Sequence, residues 1–171
     1  MPLEFILMTV LVISFVTDVK SRKIYNTVLL PAFFIAVIGN TWQEGFQGLT
    51  TSLLGFVVGF AILFIPYVMK GMGAGDVKLM AVIGAFMGPT FIVTTAIFMA
   101  IVGAVIATIL ITLRLIRSGQ TKLLLGHTSL MTYRMKLSLF RTHSKNNAFP
   151  YGVAIVAGAF ITFFTHGVIR L

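Results

Sequence analysis

Apolar residues run along this chain in long blocks separated by short polar clusters. They follow neither the two-residue alternation of a half-buried strand nor the single apolar stripe of a water-surface helix. The blocks fall at 3–17, 27–42, 49–69, 77–88, 90–113 and 149–169, and each predicts a helix. Several reach or approach the roughly 20 residues that a helix needs to cross about 30 Å of hydrocarbon. A membrane β-barrel would show short alternating segments instead. The pattern therefore predicts an all-α polytopic membrane protein with about six transmembrane helices. Asn26 is an expected N-cap of the second helix, and Pro31 an expected kink in its first turns. Gly55 and Gly59, four apart in the third block, predict close helix packing in lipid. Asn146 and Asn147 are expected caps of the last helix, with Pro150 in its first turn.

Composition narrows this picture. The chain is 58% hydrophobic and 10% charged, with a mean hydropathy of +1.02, which leaves little room for a soluble domain. It contains no cysteine, so disulfides, thiolate zinc sites and cysteine nucleophiles are excluded. The net charge of +9 would suit a nucleic-acid partner, but its distribution points to topology. Lys20, Arg22 and Lys23 follow the first block, which orients it with its N-terminus outside. The block 77–88 is short enough to be re-entrant. The segment 114–148 carries Arg114, Arg117, Lys122, Arg134, Lys136, Arg141 and Lys145, and these face the cytoplasm only if 77–88 crosses. Crossing is therefore expected, with both termini outside and a basic cytoplasmic loop at about 114–148. With the basic loops explained by topology, no nucleic-acid partner is expected. The amphipathic stretch 128–141 is expected to lie on the anionic leaflet of the lipid bilayer. His127, His143 and His166 show no metal-ligand spacing, so neither a metal nor a cofactor is expected.

The four acids divide by side. Glu4 and Glu44 fall outside, whereas Asp18 and Asp76 fall on the cytoplasmic side, one closing the first helix and one opening the fourth. A carboxylate next to hydrocarbon is expensive and by default marks a functional site. Asp76 lies in Gly71-Met72-Gly73-Ala74-Gly75-Asp76-Val77-Lys78, whose glycines are expected to use positive φ. Two aspartates at one membrane depth could share a proton and hold a water, one acting as general acid while the other activates the water. That is the machinery of aspartic proteolysis.

In these motifs the chain resembles the type IV prepilin peptidase family of membrane aspartic proteases, which includes the archaeal preflagellin peptidases. One family aspartate follows the first helix shortly before a basic Ile-Pro-Asn turn, matched here by Asp18 with Lys20, Ile24 and Asn26. The other belongs to a Gly-x-Gly-Asp-x-Lys motif, matched by Gly73, Gly75, Asp76 and Lys78. Phe149-Pro150-Tyr151-Gly152 resembles the family's proline-glycine signature at the last helix. Tyr25 stands where the family often has proline. The resemblance implies one membrane-embedded peptidase domain over residues 1–171, with Asp18 and Asp76 catalytic. Gly73, Gly75, Lys78, Lys20, Asn26, Pro150 and Gly152 would shape the site. It implies a pilin-like precursor as substrate, cut after a glycine that joins a short basic leader to an apolar helix, at the cytoplasmic face of the cell membrane. The large bifunctional members carry a cysteine-rich zinc insertion and an N-methyltransferase activity. This chain resembles the short, tight-adherence type, so methylation is not expected.

Two other classes fit the same composition. A small proton-coupled transporter could use Asp18 and Asp76 as a relay, although no inverted repeat is visible. A non-catalytic assembly factor of a secretion system would leave the aspartates without chemistry.

Overall fold

The computed structural model describes residues 2–21, 24–117 and 151–169. Every described element is a helix: α1 (Pro2–Ser21), α2 (Asn26–Glu44), α3 (Phe46–Val68), α4 (Ala74–Arg117) and α5 (Tyr151–Ile169). Two of them, Phe46–Val68 and Ala74–Leu113, contain stretches long and apolar enough to cross a membrane. The chain divides into two units, Met1–Gly103 with Pro150–Leu171, and Ala104–Phe149. The described part of the second is helix alone, the stretch of α4 over residues 104–117.

Within the first unit the centre is the N-terminal arm of α4. Leu79, Met80, Ala81, Val82, Ile83, Ala85 and Phe86 are all buried, so this arm is covered on every face. A helix that is hydrophobic all round belongs in such a position. The shortest apolar block of the sequence is thus the one most enclosed by the others. The outward faces are apolar too: Phe5, Leu54, Val57, Ile65, Ile97 and Ile101 are all exposed. A large, continuous apolar exterior is the surface of a membrane protein, where the solvent is hydrocarbon.

Glycine sets how closely α3 approaches this centre. A Cβ at Gly55 would collide with the Gly84 carbonyl oxygen, and one at Gly84 would collide with that of Gly55. A Cβ at Gly59 would lie 2.6 Å from the Met80 carbonyl oxygen. The expected Gly55/Gly59 packing therefore exists, and its partner is α4.

The blocks 77–88 and 90–113 lie in one element, α4, interrupted at Gly88, where φ is 84° and ψ is 176°. Pro89 follows and has no N–H to give the Ala85 carbonyl. The side-chain amide of Asn40 in α2 supplies what is missing. It donates to the carbonyl oxygens of Ala85 (3.0 Å) and Phe86 (3.1 Å), and lies 2.8 Å from Ser52 Oγ in α3. One side chain thus joins three helices at the point where α4 breaks.

Several local expectations are corrected. The ends of α2 and α3 run beyond their apolar blocks and meet at the single residue Gly45, whose φ of 61° and ψ of −138° only glycine adopts cheaply. The helix α1 does not end at Asp18 but continues to Ser21. The N-cap of α2 is Tyr25, with no side-chain cap bond, so Asn26 is the first helical residue rather than the cap. Pro31 does fall inside α2, in its second turn. Gly71, Gly73 and Gly75 do not use positive φ. The residue that does in this region is Lys70, at 58°. Lys70 closes α3: its N–H bonds the Tyr67 carbonyl and that of Gly71 bonds the Pro66 carbonyl, a Schellman ending with lysine in the usual glycine place. Asn146, Asn147, Pro150 and the stretch 128–141 lie outside the described residues.

Candidate active site

The site begins with a stripe on α1. Leu3, Leu7, Val10, Leu11, Ser14 and Asp18 are buried at helical spacing, and Leu3 meets α2 at Gly39. Asp18 is therefore the last member of a core-facing row, one turn beyond Ser14, which carries its carboxyl inward. The helix α5 closes over it. A Cβ at Gly152 would collide with Asp18 Oδ2 and would lie 2.7 Å from its Cγ. Only a residue without a side chain lets the α5 backbone come this near.

Asp76 arrives from the middle of the chain, in the first turn of α4. Helix α4 starts at Ala74, so Asp76 is its third residue. Its Oδ2 accepts the Gly73 N–H (3.2 Å), while its own N–H donates to the Gly73 carbonyl (3.2 Å). The carboxylate bond is one half of a capping box, with an acid at the third helical position; Gly73 has no side chain for the other half, so the Asp76 N–H turns to its backbone carbonyl. The glycines beside it serve close approach. A Cβ at Gly75 would meet Ile24 Cβ at 3.1 Å, in the turn between α1 and α2.

The end of α1, the turn into α2 and the start of α4 border one open cavity of about 330 Å³, lined by Asp18, Ile24, Tyr25, Asn26, Gly73, Gly75 and Asp76. The two aspartates singled out from the sequence thus share a cavity, together with both motif glycines and Asn26. Its volume exceeds the roughly 30 Å³ share of one water several-fold, which leaves room for a water and a stretch of extended peptide. Lys78 is elsewhere. Its Nζ donates to Asn26 Oδ1 (3.1 Å) from the neighbouring cavity of about 270 Å³, lined by Asn26, Leu29, Leu30, Phe33, Phe56, Lys78 and Val82. Lys20 is exposed and does not line either cavity, because two residues past Asp18 is about 200° round a helix of 3.6 residues per turn. Pro150 lies outside the described residues.

Ile24 and Tyr25 also line the cavity of the two aspartates; sequence reasoning matched them to the family's turn but did not count them among the residues that shape the site. The signal was their place in the turn between Asp18 and Asn26. Asn40 was missed as well, and a polar side chain deep in an apolar block was the available clue.

An all-helical membrane protein with two carboxylates on one cavity is the class that this geometry defines. Residues 5–112 match the type IV leader peptidase family, a stretch that holds both aspartates and the complete lining of the cavity. The chain belongs to that family, as its motifs indicated. Among curated proteins it is similar to the prepilin leader peptidase/N-methyltransferase of Stutzerimonas stutzeri, 31% identical over 109 residues covering 60% of this chain and 37% of that protein. The protein of the same name from Pseudomonas aeruginosa is 29% identical over 109 residues. That of Bacillus subtilis is 25% identical over 168 residues, covering 92% of this chain and 53% of the relative. The chain thus spans between about a third and about half of the length of these relatives. No solved structure matches it.

Proposed function

We propose that this protein is a membrane aspartic endopeptidase that removes the short basic leader of type IV pilin-like precursors, cutting after a glycine at the cytoplasmic face. The observation that carries this reading is the shared cavity, where Asp18 from α1 and Asp76 from α4 line the same space. Membership of the leader peptidase family and the prepilin peptidase names of its relatives support the substrate class. The reading covers peptidase activity alone.

The pair shares one proton. The ionised aspartate takes a proton from the bound water as its oxygen attacks the glycine carbonyl carbon. The protonated aspartate gives its proton to the carbonyl oxygen. When the tetrahedral intermediate collapses, the C–N bond breaks, the leaving amine takes the proton first removed from water, and one hydroxyl of the intermediate returns its proton to the other aspartate as the new carboxyl forms. The aspartates end with one proton between them, as they began. Asp76 is held for this by the Gly73 N–H, and Asp18 by its place on the buried face of α1 against Gly152.

Six crossings with both termini outside complete the proposal, and the break of α4 at Gly88 supports counting 77–88 and 90–113 separately. Introduced single cysteines test the orientation. Gln47→Cys labels with an impermeant reagent in spheroplasts, and Ser21→Cys labels only after lysis. The reverse pattern inverts the topology.

The test of function is mass spectrometry of a pilin precursor incubated with the purified protein in lipid vesicles. Leader loss is expected with the parent and not with Asp18→Asn or Asp76→Asn, each of which still inserts and accumulates. Cleavage by either variant above a no-enzyme control would end the aspartic reading. Proton flux across vesicles without any cleavage would favour the transporter.

A further inference from the structure

The buried row of α1 holds one polar side chain besides Asp18. Ser14 stands one turn before it, only 2% exposed, and its Oγ has no hydrogen-bond partner among the described residues. A buried hydroxyl without a partner is costly, and a helix offers an easy remedy, since the hydroxyl can bond the carbonyl four residues earlier. Threonines of this fold take it: Thr9 bonds the Phe5 carbonyl, Thr41 that of Val37, Thr108 that of Ala104 and Thr162 that of Gly158. Ser14 does not bond the Val10 carbonyl in this way. If close packing of α1 were all that the position required, alanine would fill it without that cost. Thr95 in α4 is also buried without a partner, but no ionisable residue lies one turn away on its helix.

One turn beyond Ser14 is the Asp18 carboxyl. Residues four apart on a helix have Cβ atoms about 5–6 Å apart, and helical side chains lean back toward the N-terminus, so Asp18 overhangs the turn of Ser14. Rotation of the hydroxyl and the carboxyl spans that separation, and hydrogen bonds of catalytic groups commonly tighten as the working complex forms. Resting on the peptidase reading above, we propose that Ser14 is a positioning residue whose hydroxyl holds the Asp18 carboxyl by a hydrogen bond. It donates to the nearer carboxyl oxygen whether Asp18 is ionised or carries the shared proton, and the other oxygen is left for the water or the substrate. Asp76 has the same arrangement, with one oxygen held by the Gly73 N–H. Ser14 acts only through Asp18 and does not touch the substrate.

The test is Ser14→Ala, which removes the hydroxyl and keeps the packing. In lipid vesicles with a pilin precursor, kcat is expected to fall about tenfold, the worth of one hydrogen bond to a charged group, with KM within about twofold of the parent. The unfolding midpoint in detergent is expected to equal or exceed that of the parent, because a buried unpaired hydroxyl has been removed. Thr95→Val removes the other such hydroxyl in nearly the same shape and is expected to leave kcat unchanged. A parental kcat in Ser14→Ala would overturn the proposal, as would an equal loss in Thr95→Val. A second measurement reads the hydrogen bond without cleavage. In acidified samples, the infrared C=O stretch of the protonated Asp18 carboxyl is the band that Asp18→Asn removes. Ser14→Ala is expected to move that band to higher wavenumber, and an unshifted band would overturn the proposal. If the parent cleaves no precursor, the peptidase reading fails, and the infrared band still decides whether Ser14 holds Asp18.

Discussion

Replacing Gly152 by alanine adds one methyl group at the place where α5 presses on Asp18. The added carbon would lie 2.7 Å from the Asp18 Cγ and 3.2 Å from its Cβ. Carbon atoms rest at about 3.5–4.0 Å from one another, so the carboxyl group must retreat by roughly 1 Å, or α1 and α5 must part by a similar distance. A displacement of about 1 Å from a productive geometry costs on the order of 10²-fold in rate. Overpacking of this size costs about 1–3 kcal/mol in stability, which leaves much of the protein folded. The expected result is therefore a variant that inserts and accumulates but removes a pilin leader about a hundredfold more slowly. Leader loss per folded enzyme, followed by mass spectrometry in vesicles, is the assay. Gly158→Ala on the same helix is the control, because its Cβ would press on Met99 N at 2.7 Å and the Thr95 carbonyl at 3.0 Å rather than on Asp18. It should lower the unfolding midpoint with a smaller loss of activity per folded molecule. A Gly152→Ala enzyme within threefold of the parent would refute the reasoning, since Asp18 would then not need its observed position.

Four further outcomes follow from the same geometry. The Asp18→Asn, Asp76→Asn double variant should be no slower than either single one, because residues acting as a unit are not additive. The parent's pH–rate profile should be bell-shaped, with apparent pKa values that belong to the pair; additive losses or a flat profile would argue against a shared proton. Asn40→Leu should destabilise the protein by about 1–3 kcal/mol for each of the two carbonyls left bare at the α4 break, read as a lower unfolding midpoint in detergent. A variant as stable as the parent would mean that those carbonyls have another partner. Lys70→Gly should raise stability by about 1 kcal/mol by relieving the left-handed backbone at the end of α3, and an unchanged midpoint would show that lysine carries no strain there.

The apolar blocks located all the described helices, because a helix in hydrocarbon must be apolar over most of its length and the polar clusters then mark its ends. Asp18 and Asp76 stood out for the same reason, being acids at the ends of apolar blocks in a chain with few acids. What the sequence hid was pairing between distant residues. Nothing near Asn40 indicates that Pro89 will leave the Ala85 carbonyl without a donor. Nothing near Gly152 indicates that Asp18 will lie against it. The roles of glycine were misassigned on similar grounds. Positive φ and close approach both favour glycine, and sequence alone does not separate them. Gly45 and Gly88 use the first, whereas Gly55, Gly75, Gly84 and Gly152 provide the second. The Asn26 expectation failed because α2 begins with backbone bonds to the Tyr25 carbonyl, and the Asn26 amide oxygen is used by Lys78.

The meeting of Gly55 and Gly84 bears on which substitutions this protein can accept. In a water-soluble domain the intolerant positions are large core side chains, and the exterior varies through polar residues. Here the separation of α3 and α4 is set by backbone against backbone, so even a methyl group at either glycine forces the pair apart. The exposed leucines, isoleucines, valines and phenylalanines face a solvent as apolar as themselves and can exchange with one another at little cost. A saturation library scored for membrane accumulation should therefore give an inverted map. Its deepest losses would fall on the smallest residues of the central helices, and its freest positions would carry some of the largest side chains.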